Sequence, residues 1–313
     1  MTAPALVLDD VVKRFGAFAA VDRLSFTVAK GEIYGFLGPN GAGKTTTLRM
    51  ILEITPPTSG RIEVLGSPSA IKVRRRIGYL PEERGLYRKM RAADTIAYFA
   101  SLRGVPATEA RARALSLLKR FGLGDFARSK NEALSKGMAQ KVQLLSTIAH
   151  DPELLILDEP FSGLDPINQA TLEDLLRELK AAGKTIIFST HTMQHAERLC
   201  DRFLIIAKGG KQFEGTLEEA RRLFPPKLVI RTADDIAALR RAPGVVDIVE
   251  RGGDGASRDY VIELKTGADP NAVLSAAFEA GIRMTRFEHS GASLHDIFVA
   301  LAGEDASGES EAA

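Results

Sequence analysis

A lysine and two threonines end a glycine-rich stretch near the start of the chain, and these residue types together suit the binding of phosphate groups. The stretch consists of Gly38, Pro39, Asn40, Gly41, Ala42, Gly43, Lys44, Thr45 and Thr46. Glycines allow successive backbone N–H groups to curl around the β- and γ-phosphates of a nucleotide. The Lys44 ammonium would bridge those phosphates, and the Thr45 hydroxyl would ligate Mg²⁺. The spacing therefore predicts a phosphate-binding loop.

The segments on either side of this loop predict the setting that such a loop needs. Residues 33–37 are an apolar run that predicts a buried strand, and residues 47–52 carry helical spacing. A helix N-terminus adds positive potential where the phosphates would lie. The alternative is a plain glycine-rich turn without a ligand, which the strand and the helix disfavour.

Two adjacent carboxylates, Asp158 and Glu159, follow the apolar run 154–157. Such a run is typical of a parallel strand buried on both faces. Ligands of open α/β sheets bind at the carboxyl ends of the strands, where this pair would lie. Asp158 would hold Mg²⁺ through water, and Glu159 would orient and deprotonate an attacking water. A simple loop start is the alternative, and the phosphate loop upstream favours the catalytic interpretation.

Further residues offer chemistry that depends on their surroundings. His191 follows the predicted strand 185–189, so it is placed to contact a γ-phosphate, although a single histidine after a strand is usually structural. Ser135 is placed to cap a helix, and with Gly137 it forms either a second anion site or a capped helix and nothing more. Phe15 has a flat face beside basic residues that suits an adenine ring; an ordinary core or turn aromatic is the equal alternative.

Composition excludes several classes of protein. With 313 residues, 45% of them hydrophobic, the chain has room for two packed domains. The positive and negative charges nearly balance, and a net charge of +2 is too small to indicate a nucleic-acid surface, so no nucleic acid is expected as a partner. The single cysteine, Cys200, excludes an intramolecular disulfide and suits a reducing compartment. No apolar run approaches the roughly 18 residues that span a bilayer, and the first residues begin no signal peptide, so a cytoplasmic protein is expected.

The first part of the chain predicts an α/β sheet core with two additions. Short strand-like runs on both sides of the phosphate loop predict a small antiparallel β-subdomain. Helical spacing over residues 93–103 and again over 108–121 predicts a helical insertion at about 83–150. The antiparallel subdomain and the insertion would flank the sheet that carries the loop.

A second domain is expected after the proline pair Pro225 and Pro226, which breaks the chain. The first domain is therefore assigned to residues 1–224. Residues 227–303 give elements in the order βαββαβ, with a predicted helix at 234–241, and this order is that of a ferredoxin-like α+β fold. Residues 304–313 are small and acidic and predict a disordered tail.

Taken together, these motifs resemble the ATP-binding cassette (ABC) family over roughly residues 5–217. In that comparison Walker A is 38–46, Walker B is 154–159, the D-loop is 162–165 and His191 is the switch histidine. Residues 134–138 resemble the signature motif LSGGQ and depart from it at Lys136 and Met138. Glu82 stands in the Q-loop where most members carry glutamine.

The resemblance implies a P-loop ABC ATPase fold, α/β in class, with a mixed sheet core, an antiparallel β-subdomain and a helical subdomain beside the ferredoxin-like domain. It implies that the cofactors are ATP and Mg²⁺. Glu159 and His191 are then the catalytic residues, and Glu82 joins Thr45 and Asp158 as a metal ligand. A carboxylate at position 82 can still ligate Mg²⁺, although its charge would make closure more dependent on the metal.

The resemblance also implies an assembly of two cassettes that sandwich two ATP molecules. Ser135 and Gly137 of one subunit would touch the γ-phosphate held by the Walker A loop of the other, in a homodimer or a heterodimer. ATP binding would close the pair and hydrolysis would reopen it, because the γ-phosphates bind the closed state better.

The departures at Glu82 and Lys136 resemble the sodium, drug and multidrug exporter branch, which shares residues 83–87 and a C-terminal ending like 294–298. A separate membrane permease is then implied, with the chain peripheral on the inner face of the cell membrane. One alternative is a soluble ABC protein that acts on ribosomes or nucleic acid, although those usually join two cassettes in one chain. Another is a regulatory cassette whose second domain binds a small ligand.

Overall fold

A computed structural model of the chain describes residues 3–83, 85–255, 257–265, 267–290 and 292–303, the side chain of Ser290 excepted. The chain divides into two compact units, Met1–Glu214 and Gly215–Ala313. Among the described helices, none combines the length and the apolar composition that crossing a bilayer demands.

The elements of the first unit alternate between strands and helices. They are β1 (Leu6–Phe15), β2 (Phe18–Val28), β3 (Ile33–Leu37), α1 (Lys44–Ile51), β4 (Ser59–Val64), α2 (Ala70–Val73), β5 (Ile77–Leu80), α3 (Ala92–Leu102), α4 (Ala107–Arg120), α5 (Lys136–Ile148), β6 (Leu154–Asp158), α6 (Pro166–Ala181), β7 (Thr185–Thr190), α7 (Met193–Leu199), β8 (Arg202–Ala207) and β9 (Gly210–Gly215). Short 3₁₀ turns lie at Arg74–Arg76, Gly124–Phe126 and Asn131–Ala133.

A six-stranded sheet in the order β5-β6-β7-β3-β8-β9 forms the centre of the first unit. The pairs β5–β6, β6–β7, β7–β3 and β3–β8 are parallel. Every residue of β3, β6 and β7 is buried, as their apolar sequences require. In register, Leu37 pairs with Thr190 and Asp158 pairs with Ser189. The phosphate loop, the two carboxylates and the segment before His191 therefore leave the sheet at one edge.

A second, antiparallel sheet in the order β2-β1-β4 packs on the same core. Leu6, Leu24 and Phe26 alternate with more exposed residues along their strands and are buried in one cluster with Phe36 of β3. This alternation is typical of a sheet with one covered face. The expected β-subdomain is present, and its strands β1 and β2 are longer than the strand-like runs in the sequence.

Helices α3, α4 and α5 form the expected helical insertion. Ala100, Ala110 and Ala114 are fully buried in its core. Because these side chains are small, α3 and α4 approach each other closely. Helix α5 ends at Ile148, and Asp151, with a φ of 60°, turns the chain into β6. The C-terminal end of α5 is thereby joined to the central sheet.

The second unit holds α8 (Leu217–Arg222), β10 (Lys227–Thr232), β11 (Val245–Asp254), β12 (Ser257–Leu264), α9 (Pro270–Glu279), β13 (Met284–Ser290) and α10 (Leu294–Ala302). Its antiparallel sheet has the order β11-β12-β10-β13, which is the ferredoxin-like arrangement. The helix expected at 234–241 is a 3₁₀ helix over Ala237–Arg241. Thr232 and Asp235 side chains accept backbone N–H groups before it, and Pro243 follows it, so only a short turn of helix fits.

The division between the units falls after Glu214, earlier than the break expected at Pro225 and Pro226. Helix α8 packs against α10, and Arg221 Nε donates a hydrogen bond of 3.2 Å to the carbonyl of Ala292. These contacts join α8 to the second unit, although the prolines follow it in sequence. The tail predicted at 304–313 lies outside the described residues.

Candidate active site

The phosphate loop connects the end of β3 to the start of α1, as the sequence predicted. Two of its glycines are required by close approach of other backbone. A Cβ on Gly38 would lie 2.5 Å from the carbonyl oxygen of Ile206, and one on Gly43 would lie 2.4 Å from that of Ala20. Gly43 also has a φ of 103°, which favours glycine. The loop is therefore held tightly against β8 and β2.

Lys44 is 6% exposed, and its ammonium is held inside the loop. Its Nζ donates hydrogen bonds to the carbonyls of Gly38 at 2.6 Å and Pro39 at 3.2 Å, and it lies 3.7 Å from Glu159 Oε1. Burial lowers the pKa of Lys44, and the nearby Glu159 carboxylate opposes this shift. A cation fixed in this way is positioned for anionic oxygens that enter the loop.

Asp158 and Glu159 end β6 and are 1% and 8% exposed. Ser189 of β7 orients both: its hydroxyl donates to Asp158 Oδ1 at 2.6 Å and accepts from the Glu159 N–H at 2.9 Å. Sequence reasoning missed Ser189, and its only signal was a hydroxyl at the carboxyl end of the neighbouring predicted strand. Glu159 has a φ of 47°, in the left-handed region that residues other than glycine seldom adopt. Backbone strain of this kind clusters at functional sites.

His191 Nδ1 lies 3.0 Å from Glu159 Oε2, and half of the histidine side chain is exposed. The imidazole thus contacts the same carboxylate that approaches Lys44. Glu159 therefore lies between a buried ammonium and a solvent-facing imidazole, and these two contacts orient its carboxylate.

A groove of about 560 Å³ gathers most of the predicted site residues. Those lining it are Phe15, Asn40, Gly41, Gly43, Lys44, Thr45, Thr46, Glu82, Glu159 and His191. Gly38, Pro39 and Ala42 belong to the loop behind this surface, and Ala42 is buried. The predicted phosphate ligands, the Glu159 carboxylate and the His191 imidazole therefore face one space.

The outer end of the groove is aromatic. Phe15 and Phe18 pair across the β1–β2 hairpin and are 55% and 65% exposed. The Lys13 Nζ lies 5.0 Å from the centre of the Phe15 ring. Two exposed rings offer a purine a stacking surface. Phe18 was missed at the sequence level, although its position one short turn after Phe15 was a usable signal.

The donor set fits a magnesium ion. Thr45 and Glu82 line the groove, and Glu82 also lines an adjoining cavity of about 330 Å³ that reaches Asp158. Asp158 Oδ2 is buried and has no hydrogen-bond partner among the described residues. A buried carboxylate oxygen without a partner is costly unless a cation or water satisfies it. The described residues contain no cluster of three or more acidic, histidine or cysteine side chains able to hold a metal alone, so substrate oxygens and water would complete the coordination.

Ser135 and Gly137 lie at the start of α5 and do not line the groove. Ser135 is the N-cap, and its hydroxyl accepts from the Met138 N–H at 3.3 Å. The Lys136 side chain lies close to Gly163, where an added Cβ would be 2.8 Å from Lys136 Nζ. The described chain therefore brings the signature residues beside the D-loop and not to its own phosphate loop.

Comparisons with known protein families match both parts of the chain. The family described as ABC transporter matches residues 21–162. The family described as ATP-binding protein DrrA1-3-like, C-terminal domain, matches residues 215–302. The second match begins where the second compact unit begins.

Two relatives match this chain over nearly their whole length. An uncharacterized ABC transporter ATP-binding protein of Bacillus subtilis is 42% identical over 299 residues, covering 95% of this chain and 98% of its own. A Nod factor export ATP-binding protein I of Ralstonia nicotianae is 35% identical over 316 residues, covering 97% and 95%. Among solved structures, a dimeric ATP-binding cassette in a post-hydrolysis state bound to ADP and Pi is 26% identical, with a TM-score of 0.63 over 68% of this chain and 98% of that one.

Proposed function

This chain belongs to the ATP-binding proteins of ABC transporters, and we propose that it powers an exporter by hydrolysing ATP for a separate membrane permease. The observation that carries the proposal is the convergence of Lys44, Glu159 and His191 at the mouth of the phosphate loop. A cation suited to phosphate and a carboxylate suited to act as general base would then be within reach of the same ligand.

In the proposed reaction the loop amides and Lys44 bind the β- and γ-phosphates. Glu159 accepts a proton from a water whose oxygen attacks the γ-phosphorus, and the bond to the β–γ bridging oxygen breaks to leave ADP and phosphate. His191, 3.0 Å from Glu159 Oε2, keeps the carboxylate in place during this step. The buried position of Glu159 excludes bulk water from its other side.

Thr45, Asp158 and Glu82 are the residues proposed to hold Mg²⁺. A bound Mg²⁺ would neutralise charge on the phosphate oxygens. The Ser189 hydroxyl fixes one oxygen of Asp158 and leaves Oδ2 as the oxygen directed at the ion or its water.

A second cassette is proposed to complete the site. Ser135 and Gly137 lie outside the groove of their own chain, and a dimeric cassette is among the solved structures similar to it. The N-terminus of α5, with its positive dipole, would meet the γ-phosphate held by a second copy or a paralogue. ATP would then favour the closed pair because it binds that state through both surfaces.

A surface of the helical insertion is proposed to dock the permease. Tyr87 and Tyr98 are 52% and 41% exposed and cluster with Phe99. Beside them is a groove of about 280 Å³ lined in part by Leu86 and Arg103. An exposed aromatic cluster next to a groove suits the apolar face of a partner helix. The chain would thereby lie on the inner face of the cell membrane.

The test is purification of the tagged chain from its native membranes, with ATPase activity measured on the recovered complex. We expect a polytopic membrane protein to copurify and the complex to hydrolyse ATP. The matched control replaces Tyr87 and Tyr98 with serine, which should release the partner and leave ATP binding intact. Recovery with ribosomes or nucleic acid, and without a membrane protein, would contradict the exporter proposal.

A further inference from the structure

A second histidine, His195, lies buried four residues after His191 and has no place in the proposed reaction. It belongs to α7 and is 6% exposed. Its ring stacks on Phe161 with 3.9 Å between centroids and 9° between planes. Its Nδ1 lies 3.1 Å from Glu173 Oε1 on α6. His195 therefore connects α7 and α6 to the residue two positions beyond Glu159.

Phe161 is part of the turn that presents the catalytic carboxylate. The Ser162 N–H donates to the carbonyl of Glu159 at 3.1 Å, and Gln140 Nε2 donates to the carbonyl of Pro160 at 2.9 Å. The Phe161 ring is 4% exposed and packs edge-on against Phe188 of β7 as well as flat on His195. These contacts fix the turn, and neither Phe161 nor His195 is among the residues that line the nucleotide groove.

Such fixation is needed because Glu159 has a φ of 47°. A left-handed conformation is unfavourable for a residue other than glycine, so it persists only where the surroundings enforce it. The Ser189 hydroxyl holds the Glu159 N–H from one side. The stacking of His195 on Phe161, called the clamp below, holds the chain two residues after Glu159.

Glu173 sets the orientation of the histidine ring. Glu173 is 6% exposed, and two arginines lie against its carboxylate. Arg177 Nη2 is 3.1 Å from Glu173 Oε2, and Arg198 Nη1 is 3.7 Å from Glu173 Oε1. A buried carboxylate with these partners accepts from His195 Nδ1–H and so defines which face of the ring meets Phe161. The pair thereby joins the helix after the switch histidine to the helix after the D-loop.

From these contacts we infer that His195 is a positioning residue: by stacking on Phe161 it holds Glu159 in the geometry needed for hydrolysis. The inference rests on the proposed function, in which Glu159 is the base. It assigns His195 no contact with ATP. Removing the clamp should therefore slow hydrolysis and spare nucleotide binding, because Lys44 is held by the carbonyls of Gly38 and Pro39 whereas His195 is held by Glu173.

The experiment compares steady-state hydrolysis and equilibrium ATP binding in the full chain. His195→Ala should lower kcat about tenfold, with the KM for ATP unchanged within about twofold, because small displacements of a base cost rate. His195→Phe, which keeps a flat ring over Phe161, should recover most of kcat. Phe161→Leu should resemble His195→Ala, and the double variant should be no slower than either, since both remove one clamp. His289→Ala, an exposed histidine of the second unit, is the matched control.

A folded His195→Ala variant with normal kcat would overturn the inference, as would a double variant whose loss is the product of the two single losses. If His195→Ala fails to fold, His195→Phe is compared with His195→Gln, which keeps a donor to Glu173 without a ring. The Phe variant should then be the faster, and the reverse order would contradict the clamp. A wild-type chain that never hydrolyses ATP would refute the proposed function instead.

Discussion

Replacing Lys44 with alanine tests the phosphate loop most simply. In the structure the ammonium donates to the neutral carbonyls of Gly38 and Pro39 at 2.6 and 3.2 Å. In the complex it would exchange these acceptors for phosphate oxygens. Each exchange of a neutral acceptor for an anionic phosphate oxygen strengthens the bond by roughly 1.5 kcal/mol, so two exchanges amount to about 3 kcal/mol.

That energy corresponds to roughly a hundredfold weaker ATP binding. A second effect has the same sign, because Glu159 would lose the ammonium that lies 3.7 Å from its Oε1 and would repel the γ-phosphate. Equilibrium dialysis with labelled ATP gives the Kd directly. Lys72→Ala, which removes an exposed lysine of α2, is the control and should bind normally. A Lys44→Ala variant that binds ATP within about threefold of wild type would refute the reasoning.

Three further outcomes are expected. Burial lowers the pKa of His150 from 6.5 to about 4, so between those pH values the unfolded chain binds a proton that the native chain does not, and stability falls as pH drops. His150→Gln should reduce the loss of unfolding free energy between pH 7 and pH 5, measured by urea unfolding, by about 1–2 kcal/mol, a value that is discounted because the ring is partly exposed. An unchanged dependence of the unfolding free energy on pH would contradict this. Glu82→Gln should raise the Mg²⁺ concentration for half-maximal hydrolysis about tenfold, because an amide is a weaker ligand than a carboxylate; an unaltered magnesium titration would remove Glu82 from the metal site. Phe15→Ala should weaken binding of ATP about tenfold and of inorganic triphosphate not at all, since only the base can stack; equal losses for both would exclude the adenine contact.

The sequence predicted the parts of the site that local patterns determine. Lys44 and Asp158 were predicted to lie at one site because an apolar run that predicts a buried strand precedes each of them, and parallel strands bring their carboxyl ends together. Ser189 and Phe18 were missed because their roles depend on which strand pairs with which. The contact of His195 with Glu173 was equally hidden, since it joins two residues on different helices that are 22 positions apart in sequence.

The domain boundary was missed for a related reason. Pro225 and Pro226 are strong local breakers, but a compact unit is defined by contacts, and α8 before them packs on α10 near the end of the chain. The predicted helix at 234–241 failed because side-chain hydrogen bonds from Thr232 and Asp235 compete with helical backbone bonds.

The central claim is that Glu159 acts as the general base, and its most direct test is a single-turnover measurement on Glu159→Gln. The control is Glu83→Gln, which replaces the exposed carboxylate next to Glu82 in sequence. A positioned general base contributes roughly a hundredfold or more to rate, whereas the amide keeps the size of the side chain. The account predicts that Glu159→Gln binds ATP with wild-type affinity and hydrolyses it about a hundredfold more slowly, with the control unaffected. Hydrolysis at the wild-type rate by a folded, ATP-bound Glu159→Gln variant would contradict it.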